Sequence, residues 1–164
     1  MYKRQHVVEP FEVPIGWQRM RSGDYGYASP SCILWGCIDF DGNIYIYREL
    51  YNSGYTGDVL ARLILEMERK DPMMSLSVLD TSCWNKTGIG PSIAETMIRN
   101  GVRWIPADRD RIAGKVEVHR RLALNPMTVE PRLKIFSTCT NLIRTLASIP
   151  TSKTNPEDVD TKSD

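Results

Sequence analysis

The sequence lacks several features that would assign a function class at once. Its 164 residues carry 21 Lys and Arg against 20 Asp and Glu, a formal net charge of +1. An anionic partner would therefore have to meet a local basic patch, because no overall charge favours nucleic acid or membrane. No C-x-x-C pair occurs, which argues against a zinc or disulfide framework. We interpret the four cysteines as reduced and buried: Cys32, Cys37, Cys83 and Cys139.

Long apolar runs, a signal peptide and internal repeats are also missing. We therefore expect a soluble cytoplasmic protein without a membrane segment. Residues 1–149 are long enough to form one domain with a hydrophobic core. Pro10 and Pro14 interrupt the first 16 residues, which we predict to be extended chain at a sheet edge. Residues 150–164 are polar and predict a tail.

Three consecutive strands are predicted near the start of the chain, at residues 18–21, 31–38 and 44–50. The middle one is almost continuously apolar, which is typical of a strand buried on both faces. Asp41-Gly42 is the usual signal of a two-residue hairpin turn, so we expect these strands to form an antiparallel meander. Asp39 and Asp41 are interpreted as turn residues.

The remaining pattern alternates helices and strands. Thr56 is a plausible N-cap for the first helix, and Ser92 followed by Glu95 predicts a capping box at the second. Four helices are predicted at 56–70, 91–100, 111–124 and 139–149, and three strands at 76–79, 102–106 and 132–136, the last as an edge strand. The third helix has an apolar side formed by Ile112, Val116 and Leu122. The order predicts an α/β fold with a mixed sheet flanked by helices, the fourth strand lying parallel to the first.

Two carboxylates stand at the ends of predicted strands. Asp24 follows the first strand within a glycine-containing stretch, and Asp80 follows the fourth. If these strands are neighbours, both side chains point into one crevice, where two carboxylates repel each other unless a hard cation lies between them. The alternative is that each aspartate only caps a turn or helix. His6 and His119 lie in no ligand or triad pattern and are interpreted as structural or solvent-facing.

Several segments, in order along the chain, resemble the nuclease domain of tailed-phage terminase large subunits. They include Arg-Ser-Gly-Asp-Tyr-Gly at 21–26, Asp-Thr-Ser-Cys-Trp-Asn-Lys at 80–86, and Gly-Pro-Ser-Ile-Ala-Glu at 90–95. The others are residues 105–114, 136–142 and 155–161. The resemblance covers nearly the whole chain and implies an RNase H-like fold, with the first three strands antiparallel and later ones parallel.

The resemblance further implies a metal-dependent endonuclease that cuts concatemeric double-stranded DNA during genome packaging. Asp24 and Asp80 would be the catalytic acids and would hold two Mg²⁺ or Mn²⁺ ions. The family's third acid would be Asp164 or a residue beyond it. Implied partners are the terminase ATPase domain, the small subunit and the portal, in the cytoplasm of a bacterial host.

No G-x-x-x-x-G-K-[ST] motif occurs, so we expect a nuclease domain without the ATPase motor and without ATP as a cofactor. The segment from 109 to 121 is rich in cations and is the best local candidate for phosphate contacts, although such a helix face is often only solvated. Its basic residues are Arg109, Arg111, Lys115, Arg120 and Arg121. Two alternatives remain open: a non-enzymatic DNA-gripping or docking module with an incomplete metal site, and another RNase H-like nuclease such as a junction resolvase.

Overall fold

A computed structural model describes residues 3–86 and 88–148, without the side chains of residues 3 and 4. The strands are β1 Val7–Val8, β2 Gln18–Asp24, β3 Ser31–Ile38, β4 Ile44–Asn52, β5 Leu76–Leu79, β6 Ile105–Pro106 and β7 Leu133–Phe136. The helices are α1 Lys3–His6, α2 Gly57–Met67, α3 Ile93–Arg99, α4 Arg111–Leu122 and α5 Thr140–Ser148, and one turn of 3₁₀ helix spans Thr81–Trp84.

The seven strands of these described ranges form one mixed sheet in the order β1-β7-β4-β3-β2-β5-β6. β2, β3 and β4 pair antiparallel, as their hairpin connections require. β5 lies parallel to β2, and β7 lies parallel to β4. The prediction of a mixed sheet, with three antiparallel strands and the fourth predicted strand parallel to the first, is confirmed.

Helices α2 and α3 cover one face of this sheet and enclose the main core. The apolar run of β3 supplies Ile33 and Trp35, which are fully buried against Leu60 and Ile64 of α2. Glu68, at the end of α2, accepts hydrogen bonds from Arg21 on β2 and from the Trp35 indole. The core therefore contains a charged pair beneath its aromatic residues, which the sequence pattern did not indicate.

The strand at β7 was predicted at an edge, and this was wrong. β7 lies between β4 and β1, and the edge position belongs to β1, paired through Val7 with Ile135 and Val8 with Phe136. The expected extended chain before residue 16 is present in β1, but Lys3–His6 forms one helical turn. Pro10 and Pro14 follow this turn and place no restriction on it.

Two further details differ from expectation. The β3–β4 connection spans residues 39–43, as the predicted strand bounds imply, but it is a five-residue loop and not a two-residue turn. The Asp39 carboxylate accepts hydrogen bonds from the backbone N–H groups of Asp41 and Asn43 in this loop. The apolar side predicted for α4 is not buried: Ile112 is 46% and Val116 61% exposed, and α4 contains no buried residue. The helix itself begins where predicted.

Other expectations are met within the described ranges. Ser92 and Glu95 form the predicted capping box at α3. Cys37, Cys83 and Cys139 are buried free thiols, as predicted, whereas the free thiol Cys32 is only half-buried. Among the helices in the described part of the chain, none is both long and apolar enough to cross a bilayer. The tail predicted at 150–164 lies outside the described residues.

Candidate functional site

Asp24 and Asp80 lie at the ends of two neighbouring parallel strands. Gly23 of β2 pairs with Leu79 of β5, so the two aspartates are the next residues along each strand. The Asp80 backbone N–H donates to the Gly23 carbonyl at 2.9 Å, which extends the ladder to the carboxylates themselves. In-register neighbours on parallel strands point to the same sheet face. The structure therefore brings the two predicted acids together.

The two carboxylates have opposite electrostatic environments. Asp24 is solvent-accessible, yet the protein around it desolvates its carboxylate and raises its pKa, and the negative charge of Asp80 raises it further. A backbone N–H at Tyr25 opposes this only in part. On balance the surrounding protein groups favour the neutral form of Asp24, and a nearby cation would favour its ionised form.

Ser82 holds Asp80 in one orientation. Its hydroxyl and its backbone N–H donate to Asp80 Oδ1 at 2.5 and 2.8 Å. These bonds are the main reason that the pKa of Asp80 is lowered, and the positive charge of Arg109 lowers it further. Both Ser82 bonds end on Oδ1, so Oδ2 is not used by Ser82. Asp80 therefore caps a turn, as the alternative interpretation required, and also stands beside Asp24.

The loop after Asp24 is closed by a buried serine. Ser31 is fully buried, and its hydroxyl donates to the Gly26 carbonyl at 2.7 Å and accepts from the Gly26 N–H at 3.2 Å. A Cβ at Gly26 would lie 2.4 Å from the Ser29 carbonyl oxygen. Only glycine fits this close approach at position 26.

Glu49 is a third carboxylate near this face, but both of its oxygens already accept hydrogen bonds from the protein. It accepts hydrogen bonds from the backbone of Asn141 and Leu142, each at 2.8 Å, and so caps the start of α5. Its charge and that of Asp24 both act on Cys32, whose pKa is raised to about 11, chiefly by burial. Among the described residues, no group of three or more His, Cys, Asp or Glu side chains is arranged to hold a metal.

The structure places the basic residues predicted to form one patch in different environments. Arg109 acts on Asp80 at the carboxylate end of the sheet. At the other end of α4, Arg120 and Arg121 pair with Glu117 at 2.7 and 2.6 Å and hold its pKa at about 2. Arg121 also donates to the Gly42 carbonyl in the distant β3–β4 loop. The two remaining members, Arg111 and Lys115, lie between these ends on α4.

The residues interpreted as structural have structural contacts. His6 is buried, and its Nε2 lies 2.7 Å from the Leu122 carbonyl oxygen. His119 is exposed on α4. Asp39 organises the β3–β4 loop, as expected.

Sequence reasoning missed Ser82 and Glu49. Ser82 could have been found, because a serine two residues after an aspartate is a common local hydrogen-bonding pattern. Glu49 could not, because its partners lie 92 and 93 residues away along the chain.

The strand order and the mixed strand directions match the RNase H-like fold. Solved structures that share this fold include nuclease domains of phage large terminases and longer large terminase chains. The P22 large terminase nuclease domain matches at 15% identity and a TM-score of 0.78, over 99% of this chain and 82% of that one.

Two other solved structures agree. A large terminase from a thermophilic bacteriophage, in its second crystal form, matches at 16% identity and a TM-score of 0.76, over 98% of this chain but only 38% of its own. The large terminase nuclease of thermophilic phage G20c, solved with bound magnesium, matches at 15% identity and a TM-score of 0.61, over 95% of this chain and 82% of that one. No protein-family model matches the sequence, and no curated protein does. The chain therefore has the terminase nuclease fold.

Proposed function

We propose that this chain is a metal-dependent DNA endonuclease of the phage-packaging type, with Asp24 and Asp80 as its catalytic metal ligands. The observation that carries the proposal is their position at the ends of paired parallel strands, close enough that the charge of Asp80 raises the pKa of Asp24. The fold shared with the magnesium-bound G20c nuclease supports it.

The donor chemistry of the two aspartates fits a hard divalent cation. Carboxylate oxygens are the ligands that Mg²⁺ and Mn²⁺ prefer, and a cation between Asp24 and Asp80 would offset their repulsion. Two bound ions would polarise the scissile phosphate and stabilise the attacking and leaving oxygens. Ser82 would keep Oδ2 of Asp80 available by engaging Oδ1. Asp164, the last candidate for a third acid in this sequence, lies outside the described residues.

The proposed substrate is double-stranded DNA. Arg109, beside the carboxylates, would contact a phosphate near the cleavage point, and Arg111 and Lys115 would extend the contact along α4. Arg120 and Arg121 would contribute less, because Glu117 already neutralises part of their charge. Within this proposal, the ATPase domain, small subunit and portal of a packaging machine are the partners, in the host cytoplasm.

The direct test is Mn²⁺-dependent nicking of supercoiled plasmid. Asp24→Asn and Asp80→Asn should each abolish nicking. Asp41→Asn is the matched control, because Asp41 is an exposed carboxylate in the β3–β4 loop at the other end of the sheet. Calorimetric titration of Mn²⁺ in the absence of DNA should show weakened binding in the two site variants only. Nicking and Mn²⁺ binding that are the same in the parent and both site variants would refute the proposal.

A second candidate, a DNA-gripping module without cleavage, is favoured by one observation. Asp24 and Asp80 lie side by side, but among residues 3–86 and 88–148 no group of three or more His, Cys, Asp or Glu side chains is arranged to hold a metal. Such a module would bind duplex DNA in EDTA as tightly as in Mn²⁺ and would not cut it in either condition. Cleavage by the parent protein, lost in both site variants, would exclude this candidate.

A further inference from the structure

A cavity of about 680 Å³ lies at the opposite end of the sheet from the two aspartates. One wall is formed by residues 10–15, which we call the N-terminal strap. Arg19, Tyr47 and Arg48 project from β2 and β4 into its lining, and Asp71 lies beyond the end of α2. Nothing in the proposed nuclease chemistry uses this cavity.

Its charges are not balanced. Arg48 donates to both oxygens of Asp71, at 2.7 and 3.3 Å, and Arg19 lies 3.8 Å from the same carboxylate. The side chains of Arg19 and Asp71 are only 7% and 11% exposed. The negative charge of one poorly solvated carboxylate is therefore shared between two positively charged guanidinium groups. Because an unbalanced charge in such a place is costly, the site favours a second anionic group.

Arg19 is also incompletely hydrogen-bonded. One terminal nitrogen donates to the Val13 carbonyl of the strap at 2.9 Å, and its guanidinium stacks over Tyr47 at 5.1 Å. Within the described part of the chain, its buried Nε has no hydrogen-bond partner. A buried donor without an acceptor costs free energy, so a small movement of Arg19 toward an incoming carboxylate would be favourable.

The cavity also has an apolar side. Phe11 of the strap packs against Phe136 at a ring-centroid distance of 4.8 Å, and both line the cavity. Ile15, also in the lining, is 85% exposed, and Phe40, which lies near Gly16 just beyond the strap, is 88% exposed. Exposed aliphatic and aromatic side chains beside buried cations suit a polypeptide better than a phosphate backbone, which is usually met by exposed Lys and Arg.

We propose that this cavity is a docking site for an acidic peptide segment of a partner protein. An Asp or Glu of that segment would enter beside Arg19 and Arg48, and a neighbouring apolar residue would contact Phe11. Arg19 stands near the start of β2 and Asp24 at its end, so a docked partner leaves the carboxylate crevice open. The domain could then be held by a protein at one end while it acts on DNA at the other.

The test uses two libraries of N-acetylated hexapeptides. In the first, one Asp or Glu is flanked by Leu, Ile, Val or Phe; in the second, Asn or Gln replaces the acid. Binding is followed by NMR through the backbone amides of the strap and the Arg Nε–H signals. The acidic library should shift these signals, including that of Arg19, at a concentration at least fivefold below that required by the amide library.

Two exposed residues in the cavity lining give opposite expectations. Lys70→Gln should weaken binding of the acidic library about two- to fivefold, and Glu12→Gln should strengthen it by a similar factor. Arg62→Gln and Glu66→Gln, on the exposed side of α2, are the matched controls and should change neither. These four positions are not in the core, so folding is not at risk.

Three outcomes would overturn the proposal. One is the absence of any shift at the strap with the acidic library. Another is an equal response to the acidic and amide libraries. The third is an equal response to inorganic phosphate or a 20-base-pair duplex, which would identify a phosphate site.

Discussion

The backbone N–H of Asp80 donates a 2.9 Å hydrogen bond to the carbonyl oxygen of Gly23. This bond continues the β2–β5 ladder one step past Leu79, the last residue of β5. It therefore fixes the residue before Asp24 to Asp80 itself, and a shift of either strand by one residue would separate the two carboxylates to opposite faces. The paired acids are a consequence of strand register.

The two aspartates should respond differently to neutralisation in the absence of metal. Asp24→Asn should leave the free energy of unfolding unchanged or slightly higher, because the raised pKa of Asp24 means that folding disfavours its ionised form. Asp80→Asn should lower it by about 1 kcal/mol, because Ser82 stabilises the ionised carboxylate. Urea unfolding at pH 7 in EDTA measures both, and equal losses would contradict the assignment.

The pH dependence of stability should show the same contrast. Asp24 destabilises the fold increasingly as pH rises from 3.8 through its raised pKa, because the folded state retains the proton longer. Asp80 stabilises the fold above 3.8, and this contribution is lost as pH falls through its lowered pKa. Comparing each Asn variant with the parent between pH 3 and 7 isolates the two effects. Parallel curves for all three proteins would contradict them.

Two glycines give a matched pair for backbone and packing effects. A Cβ at Gly23 would lie 2.8 Å from Ile33 Cδ1 and 3.0 Å from the Trp104 ring. Gly23→Ala should therefore lower the free energy of unfolding by about 1–3 kcal/mol. At Gly114 in α4 nothing lies within 4 Å, and Gly114→Ala should raise it by about 0.5–1 kcal/mol. Thermal and urea unfolding measure both, and a stabilised Gly23→Ala variant would contradict the packing described around β2.

Two glutamates near the end of α2 allow the stability contribution of a buried charge pair to be compared with that of an exposed one. Glu68→Ala should cost about 3 kcal/mol, because it leaves the Arg21 guanidinium buried without its carboxylate and removes the acceptor of the Trp35 indole. Glu66 pairs with Arg69 at the surface, so Glu66→Ala should cost less than about 0.5 kcal/mol. Similar urea midpoints for the two variants would show that the buried pair adds nothing to stability.

The salt dependence of DNA binding should locate the phosphate contacts. If Arg109, Arg111 and Lys115 each contact a phosphate, replacing them with glutamine should reduce the slope of log K against log salt by about 0.9 per contact. Replacing Arg120 and Arg121 should reduce it less, because Glu117 is their partner. Fluorescence anisotropy with a labelled duplex measures this, and Arg62→Gln with Arg69→Gln on α2 is the control. An unchanged slope in the triple variant would show that α4 is only a solvated surface.

Local patterns were sufficient to predict most strands and the positions of Asp24 and Asp80 at strand ends. The apolar run of β3 and the connections around it leave few alternatives to a meander, and the fourth predicted strand then falls beside the first. The basic segment was predicted as one patch, but only the folded chain shows that Glu117 engages two of its members.

The predictions that failed were those that depended on tertiary contacts. Arginine is expected at the surface, so the burial of Arg19 and Arg21 could not be inferred without knowing that Asp71 and Glu68 would lie beside them. The alternation before Phe136 indicated an edge strand, and two residues from the start of the chain took that edge instead. The exposure of the apolar side of α4 likewise could not be predicted, because it depends on which other elements pack against the helix.

The shortness of the two outer strands of the sheet affects how the domain should behave at high protein concentration. β1 and β6 are each only two residues long, and β6 ends at Pro106, which has no backbone N–H to donate. In the described part of the chain, these edges and the uncovered ends of β5 and β7 therefore offer a second chain only short unpaired ladders on which to add a strand. We expect copies of this domain at high concentration to resist joining their sheets into a continuous aggregate.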